Sequence, residues 1–135
     1  MATPEPLTMT IVVPAEARFF RSVRLAVGGL AAMVGFDVEA IEDLRIGVDE
    51  LCAALAEGGS GDDLHLAVRT EPGASLRIEG RTAQGADALD EDRFHFSRQI
   101  LSVVADDFGY EAEAGTVRCW LERTVATDGP ALDGT

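Results

Sequence analysis

The segment running from Phe36 into the breaker cluster Gly58-Gly59-Ser60-Gly61 constrains the fold more than any other. Ile41, Leu44, Val48, Leu51 and Leu55 recur at spacings of three and four, which is the apolar stripe of an α-helix. Asp37 stands where an N-cap is needed, Glu39 falls in the first turn, and Phe36 and Ile41 occupy the two hydrophobic-staple positions. A helix apolar along one side must lie on another layer.

The flanking sequence supplies that layer. Leu7, Met9, Ile11 and Val13 alternate with Thr8, Thr10 and Val12, which predicts a strand with one buried face, stopped by Pro14. From Ala15 to Gly35, Phe19, Val23, Val27, Leu30 and Val34 predict a second amphipathic helix. Leu64, Leu66 and Val68, a turn at Pro72-Gly73, then Leu76 and Ile78 make a hairpin. Residues 81–93 carry acids without a period. A third helix is expected from about Phe94 to Asp107, burying Phe96, Ile100, Val103 and Val104. Tyr110–Glu113 and Thr116–Thr124 close as a hairpin, with Val117, Cys119 and Leu121 inward. The order β-α-α-β-β-α-β-β predicts an α/β two-layer sandwich, a mostly antiparallel sheet with helices on one face. Arg69, Arg77, Glu79, Arg118, Trp120 and Glu122 then point to the other face, which Trp120 shields. Residues 1–6 are expected as a leader, 7–124 as one domain, and 125–135 as a disordered tail.

Composition excludes several functions. The net charge is −13, from 24 acids against 11 bases, and every base is arginine. No basic stripe is available to follow a phosphate backbone, so nucleic acid is not an expected partner, and a basic protein surface is. No apolar run approaches the roughly 18 residues of a membrane span. Met1–Leu7 has no signal-peptide pattern, so the expected location is cytoplasmic. Cys52 and Cys119 lack C-x-x-C spacing and are expected as buried free thiols, with a redox pair as the alternative. His65 and His95 stand alone, so no metal site is expected.

The stretch Gly35-Phe-Asp-Val-Glu-Ala-Ile-Glu-Asp-Leu-Arg-Ile-Gly-Val-Asp-Glu-Leu-Cys52 resembles the RsbW-type anti-sigma factors, in particular the actinobacterial UsfX-like subset. These belong to the histidine-kinase-like (Bergerat, or GHKL) ATPase superfamily, which includes histidine kinases and gyrase B. Val13-Pro-Ala-Glu16, Val23-Arg24 and Ala105-Asp-Asp-Phe108 fit the same pattern, and the resemblance covers roughly residues 7–124.

The resemblance implies a site on the second helix, where Glu-x-x-x-Asn supplies a general base and a Mg²⁺ ligand. Here Glu50 is present, as a vestigial base, and Ala54 replaces the asparagine. On a helix Asp43, Gly47, Glu50 and Ala54 share one stripe, which the family turns towards ATP; Asp43 is expected to be simply solvated. The adenine-binding Asp-x-Gly-x-Gly is replaced by Glu79-Gly80-Arg81-Thr82-Ala83, with Gly80 expected at a strand end. Asp87, Asp90, Glu91 and Asp92, followed by Arg93, stand where a glycine-rich lid would hold phosphate.

No cofactor is therefore expected, beyond at most weak Mg-ATP binding. The function implied is sequestration of an alternative sigma factor, with release by a STAS-domain anti-anti-sigma factor. Two alternatives stand beside it: an active Ser/Thr protein kinase that phosphorylates its antagonist, and a pseudo-ATPase adaptor or sensor. Arg24, by alignment with a relative, and Arg21 nearby are the expected partner-binding residues; a homodimer is also expected because relatives commonly dimerise.

Overall fold

The computed structural model describes residues 5–86 and 91–126. The elements run β1 (Leu7–Val13), α1 (Phe20–Val34), α2 (Val38–Gly58), β2 (Leu64–Glu71), β3 (Ser75–Ala83), α3 (Glu91–Val104), β4 (Asp107–Glu113) and β5 (Thr116–Thr124). This is the expected order. The five strands form one sheet, β1-β2-β3-β5-β4, with every neighbouring pair antiparallel.

The ends of α1 and α2 follow from local chemistry. Gly35 takes a left-handed conformation (φ 111°) and its N–H bonds to Ala31 O, which ends α1. Asp37 then caps α2, accepting from Ala40 N at 2.8 Å. The core lies between α2 and the central strands, where Leu44, Val48, Leu51 and Leu55 meet Leu66, Ile78, Cys119 and Leu121.

Several expectations are corrected. The first helix begins with a short 3₁₀ turn at Ala17–Phe19, and Phe20 rather than Phe19 is the buried aromatic. The buried face expected for the first strand is largely open, with Leu7 and Met9 each 40% exposed. The reason is lateral position: β1 is an edge strand, while α1 and α2 pack mainly on β2, β3 and β5 and α3 reaches β4. In α3, Phe96 and Val103 are 68% and 79% exposed; Phe94, Leu101 and Val104 are the buried residues. Phe94 stacks on Tyr110 of β4 at 4.7 Å, which sets the rotation of the helix.

The third strand does not end near Ile78 but continues to Ala83, and α3 begins at Glu91, so the irregular stretch is shorter than 81–93. Asp87 and Asp90 lie outside the described residues, as do most of the expected leader and tail. Cys52 and Cys119 are free and buried, as expected. Among the described residues no helix is long and apolar enough to cross a membrane.

Candidate functional site

The α2 stripe singled out by the resemblance is assembled on one side of the helix, and each of its members is occupied. Gly47 and Ala54 are buried. A methyl group at Gly47 would sit 3.0 Å from Leu121 Cδ2 and 3.2 Å from Val104 Cγ2, so the residue marks where α2 packs against β5 and α3. Ala54 is 1% exposed and offers no oxygen to a cation. Glu50 accepts a hydrogen bond from the Ser97 hydroxyl of α3 at 3.3 Å. Its carboxylate is therefore held by the protein's own side chain.

Asp43 is not a solvated residue. Arg123 of β5 donates to Asp43 Oδ2 at 2.8 Å and to the Val104 carbonyl at 2.9 Å. One guanidinium thus ties α2, the end of α3 and β5 together, and stabilises a helix C-terminus by its charge. Arg123 was missed in the sequence. The signal was there: the alternation Val117, Cys119, Leu121 continues to 123 and places it on the helix side. Nothing in the sequence marked Ser97.

On β3, Gly80 is in mid-strand, opposite Leu66 on one side and Cys119 on the other, and not at a strand end. A Cβ there would lie 2.5 Å from Leu55 Cδ1 and 3.0 Å from Leu51 Cδ2. The glycine is required because α2 rests directly on the strand. Its neighbour Glu79 points the opposite way, to the open face of the sheet, as the alternation requires. There its carboxylate is 3.1 Å from Arg118 and 3.6 Å from Arg77. Both guanidinium groups also lie over the Trp120 ring, at 4.4 and 6.0 Å. Trp120 lies flat against Gly109, where any side chain would collide with the indole. The open face is thus shielded by an ionic lattice around one indole.

Mg-ATP, which the resemblance implies, does not fit these positions. The candidate adenine acceptor is on the wrong face of the sheet, the cation ligand is a buried alanine, and Leu51 and Leu55 close over the strand glycine. Glu91 and Asp92 occupy the first positions of α3.

The expected partner-binding arginines diverge. Arg21 is exposed, and among the described residues it makes no ion pair. Arg24 is half-buried and bound to Asp49 of α2, with its Nη1 2.9 and 2.7 Å from the two carboxylate oxygens. It ties α1 to α2 before it meets any partner. Burial pushes the Cys52 and Cys119 thiols up to about 12, which makes both inert at neutral pH.

No protein-family model matches the chain. The solved RsbU and RsbW domains of Rv1364c from Mycobacterium tuberculosis superpose with a TM-score of 0.68 over 90% of this chain and 35% of that one, at 17% identity. The fold is therefore of the histidine-kinase-like ATPase class. The chain is also 39% identical over 72 residues to the serine-protein kinase RsbW of Halalkalibacterium halodurans, covering 49% of this chain and 44% of the relative. With RsbW of Bacillus subtilis it shares 30% over 82 residues, covering 60% and 51%. Over these stretches the chain is similar in sequence to RsbW proteins, and in fold to the solved structure. The matches span about half the length of these relatives.

Proposed function

We propose that this protein is an anti-sigma factor that sequesters an alternative sigma factor by stoichiometric binding, without nucleotide, and is released by a STAS-domain antagonist. One observation carries the nucleotide-free part. Glu79 is committed to Arg118 and Arg77 on the face of the sheet turned away from the helices, while Ala54 is sealed on the other side. The sigma factor as partner follows from the RsbW-type kinship and suits a surface of net charge −13.

Titration calorimetry with the candidate sigma factor, with and without millimolar Mg-ATP, tests both parts. The expected result is one-to-one binding of unchanged affinity in the two buffers. Binding that requires Mg-ATP would overturn the proposal.

A second reading is favoured by the name of the relatives, serine-protein kinase. It demands transfer of labelled phosphate from ATP to a serine of the antagonist; the first reading predicts none, and Glu50→Gln then leaves function intact.

A homodimer is supported by β1, an edge strand without a charged residue whose Leu7, Met9 and Val12 are exposed. The opposite edge, β4, carries Asp107, Glu111 and Glu113. Thr10→Pro should reduce the mass seen by light scattering to that of a monomer; an unchanged mass would exclude this edge.

A further inference from the structure

Like charges set directly opposite each other on neighbouring strands cost stability. The open face of this sheet does so twice. Arg69 of β2 stands opposite Arg77 of β3, and Arg81 of β3 stands opposite Arg118 of β5. The chain has 24 acids for 11 bases, so acids to alternate with these arginines were not in short supply. Local rules broken in this way concentrate at functional sites.

One member of each pair is compensated and the other is not. Arg77 has Glu79, Asp107 and Glu122 within 3.6 Å, and Arg118 has Glu79 and Glu111 within 3.1 Å. Arg69 and Arg81 are exposed, and among the described residues neither forms an ion pair or a hydrogen bond. Glu71 shares a hollow with Arg69, and Asp62 and Asp63 share one with Arg81, yet no ion pair forms in either. The donors of both guanidinium groups therefore stay unused.

The two unpaired cations flank a depression. Between their rows β2 carries Ala67, and its short side chain leaves a hollow of about 160 Å³ lined by Thr8, Ala67, Arg69, Arg77 and Glu79. Glu79 brings no free charge to it, because Arg118 and Arg77 hold its carboxylate. On the outer side, β1 has no charged residue. Arg81 lies four residues along β3 from the partner of Arg69, which puts their Cα atoms about 14 Å apart.

We propose that this side of the open face binds an extended acidic segment of a partner protein, with one carboxylate on Arg69, a second on Arg81 and a small residue over Ala67. In an extended chain residues i and i+4 are about 14 Å apart and point the same way. Arginine suits the task because its planar fork holds a carboxylate by two bonds. Binding also relieves the repulsion within each like-charge pair. The net charge of −13 opposes the approach of any acid. At 0.15 M salt, however, a Debye length of about 8 Å screens the acids of β4, two strands beyond β3. The inference rests neither on the sigma factor nor on the absence of nucleotide.

The test is an amide NMR titration at that salt with a capped synthetic peptide carrying glutamates at i and i+4 and alanine midway between them. The expected result is saturable shifts confined to β1, β2 and β3. Arg69→Gln/Arg81→Gln should weaken binding by about tenfold. Its urea midpoint should equal or exceed that of the native protein, because each substitution removes a like-charge pair. A peptide with glutamines in place of the glutamates should not bind, and glutamates two residues apart should bind more weakly.

Equal binding by the double variant, binding by the glutamine peptide, or shifts centred on the helices would each overturn the proposal. A lower urea midpoint for the double variant would also overturn it, by giving these arginines a structural role. So would tighter binding of inorganic phosphate than of the peptide, or self-association that the double variant abolishes.

Discussion

The neighbourhood of α2, β3 and β5 and the outward surfaces of α1 and α3 treat their polar and apolar groups in opposite ways. In the first region Asp43 is bound to Arg123, Glu50 to Ser97 and Glu79 to Arg118, while Gly47, Ala54 and Gly80 are packed against side chains or buried. On the outward surfaces Arg21, Leu25, Met33, Phe96 and Val103 are exposed. An active site keeps its chemical groups available; a structural region spends them on itself. On the proposed reading, this fold carries the positions of a nucleotide site as internal ties while its outside is left open for binding.

The strongest way to break this comparison is at Gly80. Gly80→Ala drives a methyl group into Leu55 and Leu51, and overpacking of this kind costs about 2–3 kcal/mol. Urea unfolding should show it. Unchanged stability would mean that α2 does not rest on β3 as closely as described.

The next effect is at Asp43. Asp43→Ala leaves Arg123 without its carboxylate, and the pair is only about three-quarters buried (side-chain exposures of 29% and 23%). A loss of about 1–2 kcal/mol is expected, below the cost of breaking a fully buried pair. A value near zero would make Asp43 a solvated residue after all.

Alkaline pH sharpens the comparison from inside the core. The folded thiols of Cys52 and Cys119 are raised to about 12 from an unfolded 9.0. A raised pKa leaves stability intact below the unfolded value and removes it as pH climbs towards the folded one. At pH 10 each thiol should therefore account for lost stability on the order of 1 kcal/mol. Melting curves from pH 8 to 10.5 should fall steeply for the native sequence and less for Cys52→Ala; parallel curves would place the thiols in water.

The smallest effects separate the two arginines. Arg24→Glu sets a glutamate against Asp49 and removes a half-exposed pair, costing about 0.5–1 kcal/mol of stability. Arg21→Glu should cost less than about 0.5 kcal/mol. If Arg24 also contacts the sigma factor, its reversal weakens the complex by more than this stability loss. Equal small losses of affinity from both variants would leave only the general field at work.

Much of this was legible before any coordinates. The stripe Ile41–Leu55, the Asp37 cap and the Pro72-Gly73 turn each placed an element correctly, because each is a local signal of rotation or backbone angle. The same alternation along β3 already set Glu79 on the open face, and the structure sides with it over the motif alignment. Where the reading failed, the missing quantity was non-local. Phe96 and Val103 have the spacing of core residues, yet the Phe94–Tyr110 stack turns them outward. Leu7 and Met9 alternate like any half-buried strand, yet β1 is the edge of the sheet and the helices pack mainly on its inner strands.

By itself, then, the sequence determined the order of elements and their periodic faces. Only the tertiary structure decided that Asp43 meets Arg123 across 80 residues, that Arg24 meets Asp49, and which apolar faces stay uncovered. The physical reason is that periodicity reports rotation about a helix or strand axis. Pairing and exposure depend on which other elements lie alongside, and that is set by the packing of the whole sheet and its helices.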